Sequence, residues 1–213
     1  MLQTILRPPR TADDIAQGAR LAKMQKKDIG PAEVAKVLNT AGLKYVIVGG
    51  HAANGYMGRP RSTVDVDVVV ESPKKAIAVL AKSFPELTMT DTPVVTRFKN
   101  ADGDEAIDVM KPIGSKLWKR LLQIAIDVEV DGVQLRIPTV EGILAAKLAA
   151  MASPARQLLD KQQDGLDFAR IVTVNATLDL RILEELGELV YPGGGAEILK
   201  LIADVRAGRL LQF

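Results

Sequence analysis

An α+β fold is predicted for this chain: a β-sheet with helices up to about residue 138, followed by a helical region. Three observations carry the prediction. Thr63 to Val70 (TVDVDVVV) alternates with the two-residue period of a strand. Asp131-Gly132 stands between two β-branched runs in the manner of a hairpin turn. Beyond Pro138 the β signal stops and only helical periodicity continues, which places a boundary between 1–138 and 139–213.

The elements follow in order. Residues 1–10, with Pro8 and Pro9, read as an irregular lead-in. Thr11-Ala12-Asp13-Asp14 can cap a helix running to about Lys27. Gly30-Pro31 breaks it, and Pro31 suits the first turn of a second helix through Thr40 that Gly42 ends; the chain to residue 42 is thus a helical lead into the sheet. Lys44 to Val48 (KYVIV) is β-branched and aromatic and forms the first strand, closed by Gly49-Gly50 and a short helix. After the alternating strand, Ser72-Pro73 opens a helix to about Phe84. Val94 to Lys99 and Ala106 to Met110 are strands joined by the turn-forming Asn100 to Asp104. A helix over 115–122 precedes the hairpin 125–130/133–137, and helices are expected at 139–151, 155–173, 179–190 and 195–207.

Composition narrows the function. Twenty-eight Lys+Arg against 26 Asp+Glu give a net charge of +2, and 47 % of the 213 residues are hydrophobic, so the chain is neither a polycationic nucleic-acid coat nor disordered. Without cysteine and with one histidine, thiolate chemistry, zinc fingers and multi-histidine metal sites are excluded. One Trp, three Tyr and four Phe are too few for a base-stacking platform. No apolar run approaches the roughly 18–20 residues of a membrane span, and MLQTILRPPR lacks a signal-peptide core; no membrane partner and a cytoplasmic location are expected.

The chemistry concentrates on the acidic strand. Asp65 and Asp67, two apart, share a strand face with Cα atoms about 6.5–7 Å apart. Side-by-side carboxylates are unfavourable without a neutralising cation, and hard oxygen ligands select Mg²⁺ or Mn²⁺; a solvent-facing strand edge is the alternative. Asp108, the one acid of the apolar run Ala106 to Met110, can supply a third carboxylate. Gly49-Gly50 at a strand-to-helix junction can offer free backbone N–H groups to phosphate. A second Asp-x-Asp, Asp102/Asp104, reads as a solvated turn. Arg61 suits phosphate oxygens, Thr63 orders the strand entry, and Arg59 and His51 are further candidates.

From Leu43 to Val70 the sequence, LKYVIVGGHAANGYMGRPRSTVDVDVVV, resembles the nucleotidyltransferase superfamily of the polymerase-β type, with particular likeness to the bacterial AbiEii-like and minimal nucleotidyltransferases. The shared pattern is a strand, Gly-Gly, a short helix, Arg-x-Thr-x-Asp-x-Asp and a later Asp in an apolar strand. It falls here on Gly49, Gly50, Arg61, Thr63, Asp65, Asp67 and Asp108. Lys147 in a helix and Asp164-Gly165-Leu166-Asp167 further on look like the helical Lys and the later Arg-Asp-x-x-Asp segment of the abortive-infection group, although Gln163 stands where a basic residue is common. The resemblance implies a mixed β-sheet flanked by helices. It also implies transfer of a nucleoside monophosphate from a nucleoside triphosphate (NTP) to a hydroxyl acceptor, with Mg²⁺ or Mn²⁺ held by Asp65, Asp67 and Asp108, the catalytic acids. Gly49, Gly50, Arg61, Thr63 and Lys147 would bind nucleotide. The acceptor would be RNA, a protein or a small molecule, and the setting a toxin with an antitoxin partner. The alternative is a non-catalytic nucleotide-binding or assembly protein that keeps the fold.

Overall fold

The computed structural model describes residues 11–23, 29–209 and 211. The expected lead-in and the end of the first helix lie outside these residues. Helix α1 is Thr11–Lys23 and α2 is Pro31–Thr40. Pro31 occupies the first turn of α2, and the Gly30 N–H donates to Glu33 Oε2 at 3.1 Å. The chain then alternates: β1 (Tyr45–Ile47), α3 (Gly49–Asn54), β2 (Val66–Val70), α4 (Pro73–Ser83), β3 (Thr88–Asp91), β4 (Val95–Lys99), β5 (Glu105–Met110) and α5 (Lys116–Ile124). The hairpin β6 (Ile126–Val130) and β7 (Val133–Ile137) precedes α6 (Val140–Ala152), α7 (Leu158–Val174), α8 (Leu180–Glu188) and α9 (Gly194–Arg206).

The five-stranded sheet has the order β1-β2-β5-β4-β3 and is mixed, because β2 and β5 run parallel while the other neighbours run antiparallel. Register sets the two faces. Val66 pairs with Ile107 and Ile107 with Phe98, an apolar row on one face, where α4 packs on β5 and buries Ala76 and Leu80. On the other face Asp67 pairs with Asp108, and Asp108 with Arg97. α3 packs on β2, α6 packs on α3, and α7 packs on α6, so the C-terminal helices close over the acidic end of the sheet. β7 packs against α2 and β1, where the Tyr45 hydroxyl and Asn39 Nδ2 both donate to the Gln134 carbonyl. The Asp131-Gly132 turn has φ of +50° and +77°, the left-handed pair that a two-residue hairpin requires.

Two elements differ from the sequence reading. β2 begins at Val66 rather than Thr63, because pairing with β5 starts at Val66 and no strand pairs with 63–65; Asp65 therefore stands at the strand entry. β3 was not expected. All four of its residues are exposed, so it lacks the in/out alternation of a half-buried strand. Among the described residues, no helix is long and apolar enough to cross a membrane.

Candidate active site

Three carboxylates converge at the entry of β2 and the middle of β5. One oxygen from each of Asp65, Asp67 and Asp108 lies within 4.8 Å of the others. The second Asp-x-Asp does not contribute: Asp102 and Asp104 are exposed in the β4–β5 turn, where both backbone N–H groups donate to Asn100 Oδ1.

Burial places strain on the cluster. Asp67 is pushed well above the ordinary carboxylate range by burial and then by the charges of Asp65 and Asp108, which Arg156 and Lys147 only partly offset. Burial, with Glu105 beside it, raises Asp108 to about 6 against the opposing effect of Arg97. Asp108 is held from one side: Arg97 Nε lies 3.3 Å from its Oδ2 and 3.2 Å from Glu105 Oε1. Its Oδ1 is buried and has no hydrogen-bond partner. An orphaned buried oxygen on one of three converging carboxylates fits the needs of a hard divalent cation, so the residues present suit Mg²⁺ or Mn²⁺.

The glycine pair owes its place to this cluster. Gly49 has φ of +62°, and a Cβ there would overlap Asp67 Oδ2; a Cβ on Gly50 would overlap Thr63 Oγ1 and stand 3.1 Å from Arg61 Nη2. The bare backbone is therefore what lets α3 start against the acids. Replacing Gly49 by Ala is expected to destabilise the fold by about 1–3 kcal/mol through the left-handed φ alone and to displace Asp67. Thermal unfolding and Mn²⁺ titration of the variant should show both losses together.

On the opposite flank, Arg61 is locked rather than free. Its backbone exchanges two hydrogen bonds with the Asn54 side chain, its Nε and Nη2 donate to Asp167 at 3.0 and 2.8 Å, and Nη1 donates to the Ser62 carbonyl. Lys147 Nζ donates to Asp164 Oδ1 at 2.8 Å and Asp167 Oδ2 at 2.7 Å. Arg156 Nε donates to Asp164 Oδ2, and Gln163 Nε2 to Asp167 Oδ1. One network thus ties the loop before β2 to α6 and α7. Asp167 is raised by burial, yet Arg61 and Lys147 outweigh this and hold it below its ordinary value.

The structure therefore gathers Asp65, Asp67, Asp108, Gly49, Gly50, Thr63, Arg61, Lys147 and Asp164 around one end of the sheet. Arg59 is exposed. His51 is buried with neither ring nitrogen partnered; burial and then Arg61 lower it to about 4, so the ring is neutral at pH 7. Arg97 and Arg156 escaped the sequence, whereas Asp167 was visible there as the second acid of the Asp164-x-x-Asp167 segment, without its hydrogen bonds to Arg61 and Lys147. The spacing of Asp164 and Asp167, one helical turn apart, was the available signal.

The mixed sheet, its flanking helices and the acidic cluster define a nucleotidyltransferase-type fold. In comparisons with solved structures, an antigenic nucleotidyltransferase-like protein from Paracoccidioides brasiliensis matches with a TM-score of 0.52 at 18 % identity, covering 93 % of each chain. The antibiotic-resistance factor ANT(2'')-Ia matches with a TM-score of 0.48 at 15 % identity, over 82 % of this chain and 92 % of that one. JHP933 from Helicobacter pylori matches with a TM-score of 0.47 at 16 % identity, over 90 % and 91 %. No protein-family model and no curated protein matches the chain.

Proposed function

We propose that this protein is a metal-dependent nucleotidyltransferase that moves a nucleoside monophosphate from an NTP to a hydroxyl acceptor. The observation that carries the reading is the convergence of the Asp65, Asp67 and Asp108 carboxylates within 4.8 Å, with Oδ1 of Asp108 buried and unpartnered. Three acids this close are destabilising in themselves, and a site that accepts that cost is built for cations.

In the proposed reaction the acceptor oxygen bonds to the α-phosphorus, the bond from that phosphorus to the β-phosphate bridging oxygen breaks, and pyrophosphate leaves. Mg²⁺ or Mn²⁺ held by Asp65, Asp67 and Asp108 would supply acidification of the acceptor hydroxyl and charge neutralisation at the phosphates. Asp108 takes the hydroxyl proton at its carboxylate. Gly49 and Gly50 bring backbone N–H groups to the phosphates, Thr63 orders the loop that carries Asp65, and Arg61, Lys147 and Asp164 hold the facing wall in place. The catalytic unit in this reading is residues 1–138, with 139–213 as a helical unit that completes the phosphate side.

RNA or a protein hydroxyl is the acceptor we favour, in the cytoplasm and in the setting of a toxin with an antitoxin partner. The resemblance of the Gly49–Asp67 segment to the abortive-infection group supports this choice. Nucleotide binding tests the reading before any acceptor is found. Each of the four NTPs, as an α,β-methylene analogue, is titrated with Mg²⁺ and again in EDTA. At least one should bind with Mg²⁺ and lose its affinity in EDTA, since three carboxylates repel a polyanion of about −4 charge. Equal binding in EDTA would refute the metal-dependent reading.

A further inference from the structure

The phosphate-side network holds three cations, Arg61, Lys147 and Arg156, against two carboxylates, Asp164 and Asp167. One positive charge is in surplus, and the geometry shows where it sits. Lys147 has a side chain only 4 % exposed and spends two of its three N–H bonds on Asp164 and Asp167. Arg61, at 24 %, spends its Nε and Nη2 on Asp167 and Nη1 on the Ser62 carbonyl. Arg156 has a side chain 43 % exposed, gives Nε to Asp164 and, among the described residues, makes no hydrogen bond through its two terminal nitrogens. The acid Asp164 thus grips one edge of the Arg156 guanidinium and leaves the fork that suits phosphate oxygens turned outward.

The network also meets the acidic end of the sheet. Arg61 Nη2 stands 3.1 Å from where a Cβ on Gly50 would lie, and a Cβ on Gly49 would overlap Asp67 Oδ2, so the network borders the glycine pair whose backbone N–H groups the proposed reaction gives to the phosphates. Arg156 joins it through Asp164, Lys147 and Asp167, and its charge and that of Lys147 act on Asp67. In-line displacement puts the attacking and leaving oxygens on opposite sides of the phosphorus, so with Asp108 taking the acceptor proton, pyrophosphate departs on the side away from Asp108.

We propose that Arg156 is a nucleotide-binding residue that receives the β- and γ-phosphates of the NTP through its open terminal nitrogens, with Asp164 as the positioning residue that aims it. This inference rests on the nucleotidyltransferase reading and deepens it. Arg61 and Lys147 then act as the frame that keeps Asp164 and Asp167 fixed.

The test compares wild type with Arg156→Ala and Arg156→Lys by calorimetric titration of α,β-methylene NTP analogues and of the matching nucleoside monophosphates, in Mg²⁺. Arg156→Ala should weaken triphosphate binding by about 10- to 100-fold, the value of a charge-assisted hydrogen-bonded contact. It should leave monophosphate affinity, Mn²⁺ affinity without nucleotide and the melting temperature near those of wild type. Arg156→Lys should recover part of the loss, because it keeps the charge and gives up the fork. Unchanged triphosphate affinity in Arg156→Ala would overturn the assignment while leaving the nucleotidyltransferase reading intact, and so would equal losses for triphosphate and monophosphate. Wild-type protein that binds no NTP would overturn both.

Discussion

Asp67→Asn is expected to abolish the proposed nucleotidyl transfer and at the same time to make the metal-free protein more stable. The loss of activity, at least about 10³-fold, follows from removing the central carboxylate of a preorganised charge cluster. The gain in stability follows from the same geometry. Asp67 is desolvated beside Asp65 and Asp108 and sits well above its ordinary pKa, so this residue opposes folding near neutral pH, where the unfolded chain carries its carboxylate ionised. The neutral amide removes that opposition. A gain of about 1 kcal/mol would raise the melting temperature by roughly 2–4 °C for a chain of this size. Thermal unfolding in EDTA and product formation in Mg²⁺ check the two halves, and a variant that lost stability and activity together would point to a structural role for Asp67.

Asp167→Asn does the opposite to stability. Its carboxylate is fully buried and receives hydrogen bonds from Arg61, Lys147 and Gln163. Removing the charge leaves Arg61 with no carboxylate in hydrogen-bond contact and Lys147 with Asp164 alone, an acid that Lys147 shares with Arg156. Breaking a buried pair in this way costs about 3–5 kcal/mol. The pH dependence has a definite sign. Because the native pKa of Asp167 is held below its unfolded value, the unfolded state binds the proton first. The contribution is complete above the unfolded value of about 4 and is lost as the pH falls through the depressed native pKa. Denaturant unfolding between neutral pH and pH 3 should show a weaker acid dependence in Asp167→Asn than in wild type. Equal stability at pH 7 would remove the network from the account.

The strands were legible in the sequence where burial was one-sided or where a turn demanded particular residues. The alternation of Val64 to Val70 and the Asp131-Gly132 turn are examples, since both reflect local backbone geometry. β3 was not legible because its residues are exposed, and its pairing with β4 rests on backbone hydrogen bonds that any side chain allows. The acid triad was legible because Asp67 and Asp108 sit on short apolar runs of strand character and Asp65 stands two residues before Asp67, at the entry of β2. The facing cations were not. Arg97 meets Asp108 through strand register, and Arg156 meets Asp164 because the α6–α7 connection folds back on α7; neither leaves a periodic trace. Lys147 was visible only as a charge in an Ala/Leu-rich helix, and its burial against Asp164 and Asp167 is a tertiary result.

Transfer of α-phosphate label tests the central claim most directly. Each of the four NTPs, labelled at the α-phosphate, is incubated with Mg²⁺ or Mn²⁺ and the RNA, protein and small-molecule fractions of a bacterial lysate, using wild type and Asp67→Asn side by side. The account predicts label in one fraction with wild type, dependent on the divalent ion and absent with Asp67→Asn. Label that appears equally with both proteins, or in none of the fractions with wild type, would contradict it.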